Sequence, residues 1–497
     1  MNNLTQDTLK LVKEAQLSAD ASLAKGFTQP QSATTGLQGY NLEAPAQRLY
    51  PVMTPLRNRI PRVGGGFATQ ANWKAITGIN IGNIRAGVSE GKRGGVVNHS
   101  TAERFAAFRG IGLENSVTFE ADYAARGFED VKALAVLQTL QSLMVQEELM
   151  ILGGNTSHKL GVTPTPTLVA TGNGSALEAG DVSVICVALG LTAYLDVAGA
   201  NNGTVGQFLD LATAQVPGKI ARTNADGTSD SFGGGAAQQS AAAKVTVTKG
   251  QNIEAKTETV RGAYGYAWFW GAAGQEKLGA ITSASALTIT AAATGVQAAS
   301  ALPKEDCSTS HLEFDGILTQ IALPDSGAYF ADQKGAALSS DGAGGVQEFE
   351  AAFAEFYNRY RLSPDTIYVN AADLVAVTKL ILGSSGAPLL RLNVDINNAN
   401  SIRAGVKLGS YLNKVTGDEL DVVVHPNMPQ GTYMFYSQRL PAYVQGVQQL
   451  LRILTRQEYY QIEWPLRTRM YEYGVYADEV LQGYFMPAFG MITNAGR

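Results

Sequence analysis

Apolar positions recur at helical spacing along residues 128–152, where Phe128, Val131, Leu134, Ala135, Leu140, Leu143, Met144 and Leu149 draw a stripe that drifts around a helix of about seven turns. Residues 73–119 alternate instead, as in Trp73-Lys74-Ala75-Ile76-Thr77 and Val117-Thr118-Phe119-Glu120, around the glycine-rich centre Glu90-Gly91-Lys92-Arg93-Gly94-Gly95. That pattern predicts two strands joined by a long flexible tip, a projecting hairpin. A two-stranded ribbon is only marginally stable alone in water, so this one needs another surface to lie on. Upstream, Leu4, Leu11, Ala15 and Ser18-Ala19 predict an amphipathic helix over 3–25 that stops at Gly26. The Gln-, Thr-, Gly- and Pro-rich run that follows, to Pro61, predicts an extended arm without a core of its own.

The long helix ends in Ile151-Leu152-Gly153-Gly154-Asn155, which should lead directly into Phe314-Asp315-Gly316-Ile317-Leu318, yet residues 160–305 intervene with a different composition. They are rich in Ala, Gly and Thr, and carry strand-like runs at Thr163–Ala170, Val182–Leu195, Lys244–Thr248, Thr259–Trp270 and Ala286–Ala293. Short strands at regular spacing predict an inserted β-sandwich. Within it, the low-complexity run Asn224–Ala243 reads as a mobile loop. Beyond the insertion a mixed pattern returns. Phe349, Ala352, Phe353, Phe356 and Tyr360 mark a helix, Thr366–Asn370 a buried strand, and Asn370 or Asp373 can cap a helix running to Leu382-Gly383. Leu420–Val424 and the aromatic segments Tyr459–Trp464, Met470–Tyr476 and Tyr484-Phe485 complete the strands.

Composition changes the picture in one respect. Of 497 residues, 45% are hydrophobic and only 16% charged, little for a monomer that keeps its whole surface wetted, so much of the surface is expected to be buried against other subunits. A chain of this length needs two or more domains. The formal charge of −5 offers no basic field for wrapping nucleic acid. No apolar run approaches the ~18 residues of a membrane span, and Met1–Gln6 lacks the features of an export signal. Cys186 and Cys307 read as two small buried hydrophobes of a reducing compartment.

The search for chemistry is thin. His99, His158, His311 and His425 lack the spacing of a metal site. Gly64-Gly65-Gly66 and Gly342-Ala343-Gly344-Gly345 lack the Gly-Lys-Ser/Thr ending of a phosphate loop and read as flexible joints. Glu147-Glu148, adjacent on the helix, reads as a solvated pair, and Asp395-Ile396-Asn397-Asn398 lacks the downstream glycine and glutamate of a calcium loop. These absences predict neither an enzyme nor a cofactor.

Read across the interruption, residues 45–160 and 306–497 resemble the major capsid proteins of tailed bacteriophages. The likeness rests on the order and spacing of segments: the entry run Pro55–Arg62, the hairpin, the long helix, the helix–strand–capped helix at 349–383 followed by Gly386–Leu390, and the strand, proline turn and strand at Leu420–Tyr433. The resemblance implies an α+β, Hong Kong 97-type capsid fold. Its parts would be an N-terminal helix and arm over 1–60, an extended loop with flanking strands over 61–127, the spine helix of the peripheral domain over 128–159, the insertion over 160–305, and an axial domain with returning peripheral strands over 306–497. Val260–Phe269 resembles a fibronectin- or immunoglobulin-like strand, and the insertion is expected to be an outward decoration that leaves the shell wall undisturbed.

The implied function is a structural subunit that assembles with itself, as hexamers and pentamers, into the icosahedral head of a virion built in the host cytoplasm. The head would enclose double-stranded DNA without sequence-specific binding or membrane, with portal and scaffolding or decoration proteins as partners. Glu90, Gly91, Lys92, Arg93, Gly94 and Gly95 are the expected assembly residues at the loop tip, and Lys92 stands about where some relatives carry a cross-linking lysine. An encapsulin-like compartment would share the fold and hold protein cargo, whereas a surface adhesin would need an export signal.

Overall fold

In the computed structural model the described residues are 53–79, 85–96, 99–125, 130–172, 174, 176–198, 211, 213–383, 408–438 and 449–496. They belong to one unit, Val52–Arg497; the other unit, Met1–Pro51, lies outside them, as do the predicted helix over 3–25, Gly386–Leu390 and Asp395–Asn398.

The described chain enters through a short helix, α1 (Pro55–Arg59), with proline in its first turn, and a two-residue strand, β1 (Arg62–Val63). β2 (Gln70–Ile79) and β3 (His99–Ala107) pair antiparallel as the predicted hairpin. β4 (Arg109–Thr118) and α2 (Phe119–Ala124) lead to the long helix, α3 (Val131–Gly153), whose first amides at Lys132 and Ala133 are capped by Asp130 at 3.1 Å.

The middle region holds β5 (Thr167–Thr171), β6 (Gly180–Leu189), α4 (Leu191–Val197), β7 (Lys219–Thr223), β8 (Ser229–Gly233), β9 (Ala243–Val247), β10 (Asn252–Lys256), β11 (Gly265–Gly271), β12 (Lys277–Thr282) and β13 (Ala286–Ile289). A three-stranded sheet, β13-β10-β5, faces a four-stranded one, β12-β11-β6-β9, across Ile253, Ala255 and Ile289 on one side and Val184, Cys186, Tyr266 and Trp268 on the other. Both cysteines are buried and unpaired.

Two expectations change here. The strand predicted over Val182–Leu195 stops at Leu189, because Gly190 packs against the carbonyl of Gly235 and the chain turns into α4. Asn224–Ala243 is not a loose loop: it contains β8, and Ala236, Ala237 and Ser240 are buried. Small side chains serve close backbone packing there, and any side chain on Gly233 would collide with the carbonyls of Cys307 and Thr309.

The remaining elements are α5 (Ile317–Ala322), β14 (Tyr329–Asp332), α6 (Gln347–Tyr360), β15 (Thr366–Val369), α7 (Ala371–Leu382), β16 (Ser410–Leu412), β17 (Glu419–Val424), β18 (Tyr433–Tyr436), β19 (Leu451–Glu463), β20 (Met470–Gly483) and β21 (Gly490–Thr493). A six-stranded mixed sheet runs β14-β21-β18-β15-β17-β16. On it lies α6, whose Phe349, Phe353 and Phe356 meet Phe435 edge-on with ring centroids 5.6–6.0 Å apart. Asn370 caps α7 at the amide of Ala372, and Gly383 ends it, as predicted. A second sheet, β1-β19-β20-β4, is backed by α3, with Leu143 against Ile111, Val475 and Ala477. Ribbon, long helix on a sheet, and mixed α+β domain thus stand in the order the resemblance implies.

The two flanks of the middle region meet. The Gly316 amide donates to the Gly154 carbonyl at 2.8 Å, and neither Gly154 nor Gly316 has room for a side chain. The region does not stand off the body, however. Along β6 and β11, Ile185, Val187, Leu189, Ala267 and Phe269 belong to the main core, while Val184, Cys186, Ala188, Tyr266, Trp268 and Trp270 belong to the second. A sheet buried on both faces is a middle layer, not an appendage.

Candidate assembly site

Adjacent glutamates on a helix cannot face each other, but both can be buried if different elements come to meet them. Glu147 and Glu148 are each 1% exposed, which overturns their reading as a solvated pair. The Leu56 and Arg57 amides at the start of α1 donate to the two Glu148 oxygens at 2.9 and 2.7 Å, so the carboxylate serves as the N-terminal acceptor of that helix. His425, fully buried after β17, accepts the Asn427 amide at Nδ1 (3.1 Å) and so donates from Nε2 to Glu148 Oε1 (2.7 Å), the neutral tautomer. Glu147 Oε2 accepts from Arg57 Nε at 2.9 Å and from the Tyr459 hydroxyl, and Glu147 also pairs with Arg62. Arg62 reaches Glu479 on β20 at 2.6 Å. Burial lowers the Arg57 guanidinium from its ordinary value, opposed by Glu479 and Glu148, and raises the Glu479 carboxyl, opposed by Arg62 and Arg57. The cluster ties segment 55–62 to the long helix, the strand pair β19–β20 and the six-stranded domain at once.

From that anchor the ribbon leaves the body. Trp73 Nε1 donates to the Gly483 carbonyl at 2.9 Å, and Arg104 on the partner strand pairs with Asp325 at 2.9 Å, which holds the base. The outer face carries Phe105, 74% exposed and opposite Asn72. Residues 85–96 are all exposed, and this span includes every predicted tip residue from Glu90 to Gly95. The tip turns at Gly91, whose φ of +73° suits glycine, with the Lys92 amide bonded to the Ser89 carbonyl.

Among the other candidates, His158 Nε2 meets the Arg261 carbonyl at 2.8 Å and His311 is exposed. The described residues contain no group of three or more His, Cys, Asp or Glu side chains placed to hold a metal, and no described helix is long and apolar enough to cross a membrane.

One titratable group sits at the joint. Glu313 accepts the Asn155 amide at 3.0 Å, while burial, with Asp196 and Asp315 nearby, raises its pKa from 4.5 to about 7. A raised carboxyl favours the protonated fold: its contribution is full below about pH 4.5 and is lost as pH rises through about 7. Glu313→Gln, which keeps an acceptor for Asn155, is therefore expected to melt at least as high as the parent at pH 8 and to flatten the melting profile between pH 5 and 8. Parallel profiles for the two proteins in that range would refute this assignment.

No protein-family model matches the chain, and no curated protein matches it. Among solved structures it is similar to the holo-SrpI encapsulin complex from Synechococcus elongatus PCC 7942, at 8% identity and TM-score 0.37, over 93% of this chain and 97% of that one. It is similar to the capsid of the native GTA particle at 9% identity and TM-score 0.39, over 96% and 99% of the two chains. For Mycobacterium phage Bobi the values are 8% identity and TM-score 0.38, again over 96% and 99%.

Proposed function

We propose that this chain is a shell-forming structural subunit and not an enzyme: the major capsid protein of a tailed double-stranded DNA bacteriophage, which joins copies of itself as hexamers and pentamers of a closed head. The observation that carries the reading is the ribbon of β2 and β3, pinned at its base by Trp73 and Arg104 and ending in twelve exposed residues, 85–96. A ribbon so built gains its stability from a surface beyond its own tip. The ion cluster at Glu147 and Glu148 supports the same reading, since it gives the arm exit a rigid seat from which a segment can reach outward. The enclosed DNA, the portal and the scaffolding or decoration proteins belong to this proposal.

Negative-stain microscopy of the full chain, purified by size, tests it. Closed shells or rings of subunits containing nucleic acid are expected. Shells filled with protein cargo would move the reading to an encapsulin-like compartment, and a persistent monomer in the presence of the proteins encoded beside it would overturn assembly altogether. Removing Glu90–Gly95 is expected to leave the melting of the isolated subunit within about 0.5 kcal/mol of the parent, because these residues are exposed, and to weaken assembly. Normal particles from the shortened chain would remove the tip from the site.

A further inference from the structure

The face of β4, β20 and β19 turned away from α3 is covered by a cleft of about 870 Å³, closed on its other side by the β7–β8 hairpin. Its floor is aromatic. The Tyr476 ring lies flat over Gly112 and Gly474, where any side chain would collide with it, and stacks on Tyr460 at 5.9 Å and 29°. Its hydroxyl bonds Glu114. The opposite jaw is the turn from Asn224 to Asp230, ordered by Asn224 on Asp230 at 2.9 Å, Arg222 on Asp230 at 3.0 Å and the Thr228 amide on Asp226 at 2.9 Å. Those hydrogen bonds hold Asp226 and Asp230 below the usual carboxylate range, so both are ionised at neutral pH. Four carboxylates, Glu114, Asp226, Asp230 and Glu472, line the cleft against two guanidiniums, Arg222, which is engaged with Asp230, and Arg467.

The complementary object is on the same chain. Residues 85–96 carry Arg85, Lys92 and Arg93 against Glu90 alone, and Gly91, Gly94 and Gly95 leave the backbone beside Lys92-Arg93 free of bulk. A guanidinium so presented can stack on a tyrosine face while a neighbouring ammonium meets carboxylates. Residues 99–103 of β3, about 17 Å at strand rise, lie between its tip end and Arg104 at the base, and the cleft begins past that base at Gly110.

We propose that the cleft between the β7–β8 hairpin and the β4–β20–β19 face receives the Lys92-Arg93 tip of a second copy, so that the middle region supplies one jaw of the subunit contact. This rests on the shell reading above and adds the receiving site.

Carbodiimide coupling, which joins a lysine amine to a touching carboxylate, tests it on particles assembled from equal amounts of ¹⁵N-labelled and unlabelled full chain. Mass spectrometry is expected to find Lys92 joined to Asp226, Asp230, Glu114 or Glu472 in mixed-label peptides. Lys92→Glu with Arg93→Glu is expected to raise the concentration for half-assembly about tenfold, the scale of one favourable charge contact, and Asp226→Lys with Glu472→Lys to recover most of that loss. All four positions lie on the surface or at the cleft rim, and unchanged melting of the isolated variants serves as the folding control. Particles in which these carboxylates couple to another lysine, to none, or only within one copy overturn the proposal and leave the shell reading intact. A parent chain that forms no assembly removes the shell reading, and the receiving site with it.

Discussion

Glu147→Ala is expected to destabilise the unassembled chain by about 3–5 kcal/mol, the scale for removing one partner of a buried ion pair. The carboxylate is 1% exposed and holds Arg57, Arg62 and the Tyr459 hydroxyl. Its loss leaves Arg57 desolvated with no carboxylate on its guanidinium and leaves Arg62 to Glu479 alone. Glu147→Gln keeps the volume and one acceptor and is expected to cost less, because a neutral amide can still take the Arg57 or Tyr459 proton. Denaturant unfolding of the unassembled chain measures both. Equal stability of parent and Glu147→Ala would mean that the cluster contributes nothing to holding segment 53–63. The cost reaches the ribbon too, since a chain whose segment 53–63 comes loose loses contacts that fix the stretch leading into it.

Phe269→Ala is expected to cost about 3–5 kcal/mol as well, for a different reason: a cavity in the layer shared by the middle region and the body. Phe269 is fully buried on β11, opposite Ile185 of β6, and its face joins the main core while the preceding residue, Trp268, fills the second. Because one sheet serves both cores, the two are expected to melt in a single transition, and Phe269→Ala to lower that transition as a whole. A calorimetric trace with two separated peaks, only one of them moved by the substitution, would show the middle region to be thermally independent. Excision of 160–305 is expected to give insoluble protein for the same reason, since it uncovers the main-core side of that sheet's partners.

How much of this was legible differs from element to element. The long helix was predicted over 128–152 and runs Val131–Gly153, the Asn370 cap and Gly383 stop fall where the pattern puts them, and the ribbon forms around the glycine-rich tip. Even the meeting of Gly154 with Gly316 could be anticipated, because an apolar helix ending in paired glycines needs a close backbone neighbour. The ion cluster could not. Nothing within four residues of Glu147 and Glu148 marks them as buried, since their partners Arg57, Arg62, His425 and Tyr459 stand tens to hundreds of positions away. The one available signal was the proline-started run at 55–62, where Arg57, Arg59 and Arg62 stand among Leu56, Ile60 and Pro61. The cleft was equally out of view: nothing in the sequence places the Tyr476 ring on both Gly112 and Gly474.

Apolar periodicity, capping residues and glycine positions act over a few residues, through backbone sterics and the direction in which neighbouring side chains point, so the chain alone determined its long helix, its ribbon, its capped helix and the existence of an interrupting region. Whether a carboxylate is solvated or buried, whether a sheet has one dry face or two, and whether an Ala- and Gly-rich run is loose or tightly packed depend on which distant segments arrive beside it. Only the tertiary structure decided those, and with them the ion cluster at Glu147 and Glu148, the layer joining the middle region to the body, and the cleft beneath the β7–β8 hairpin.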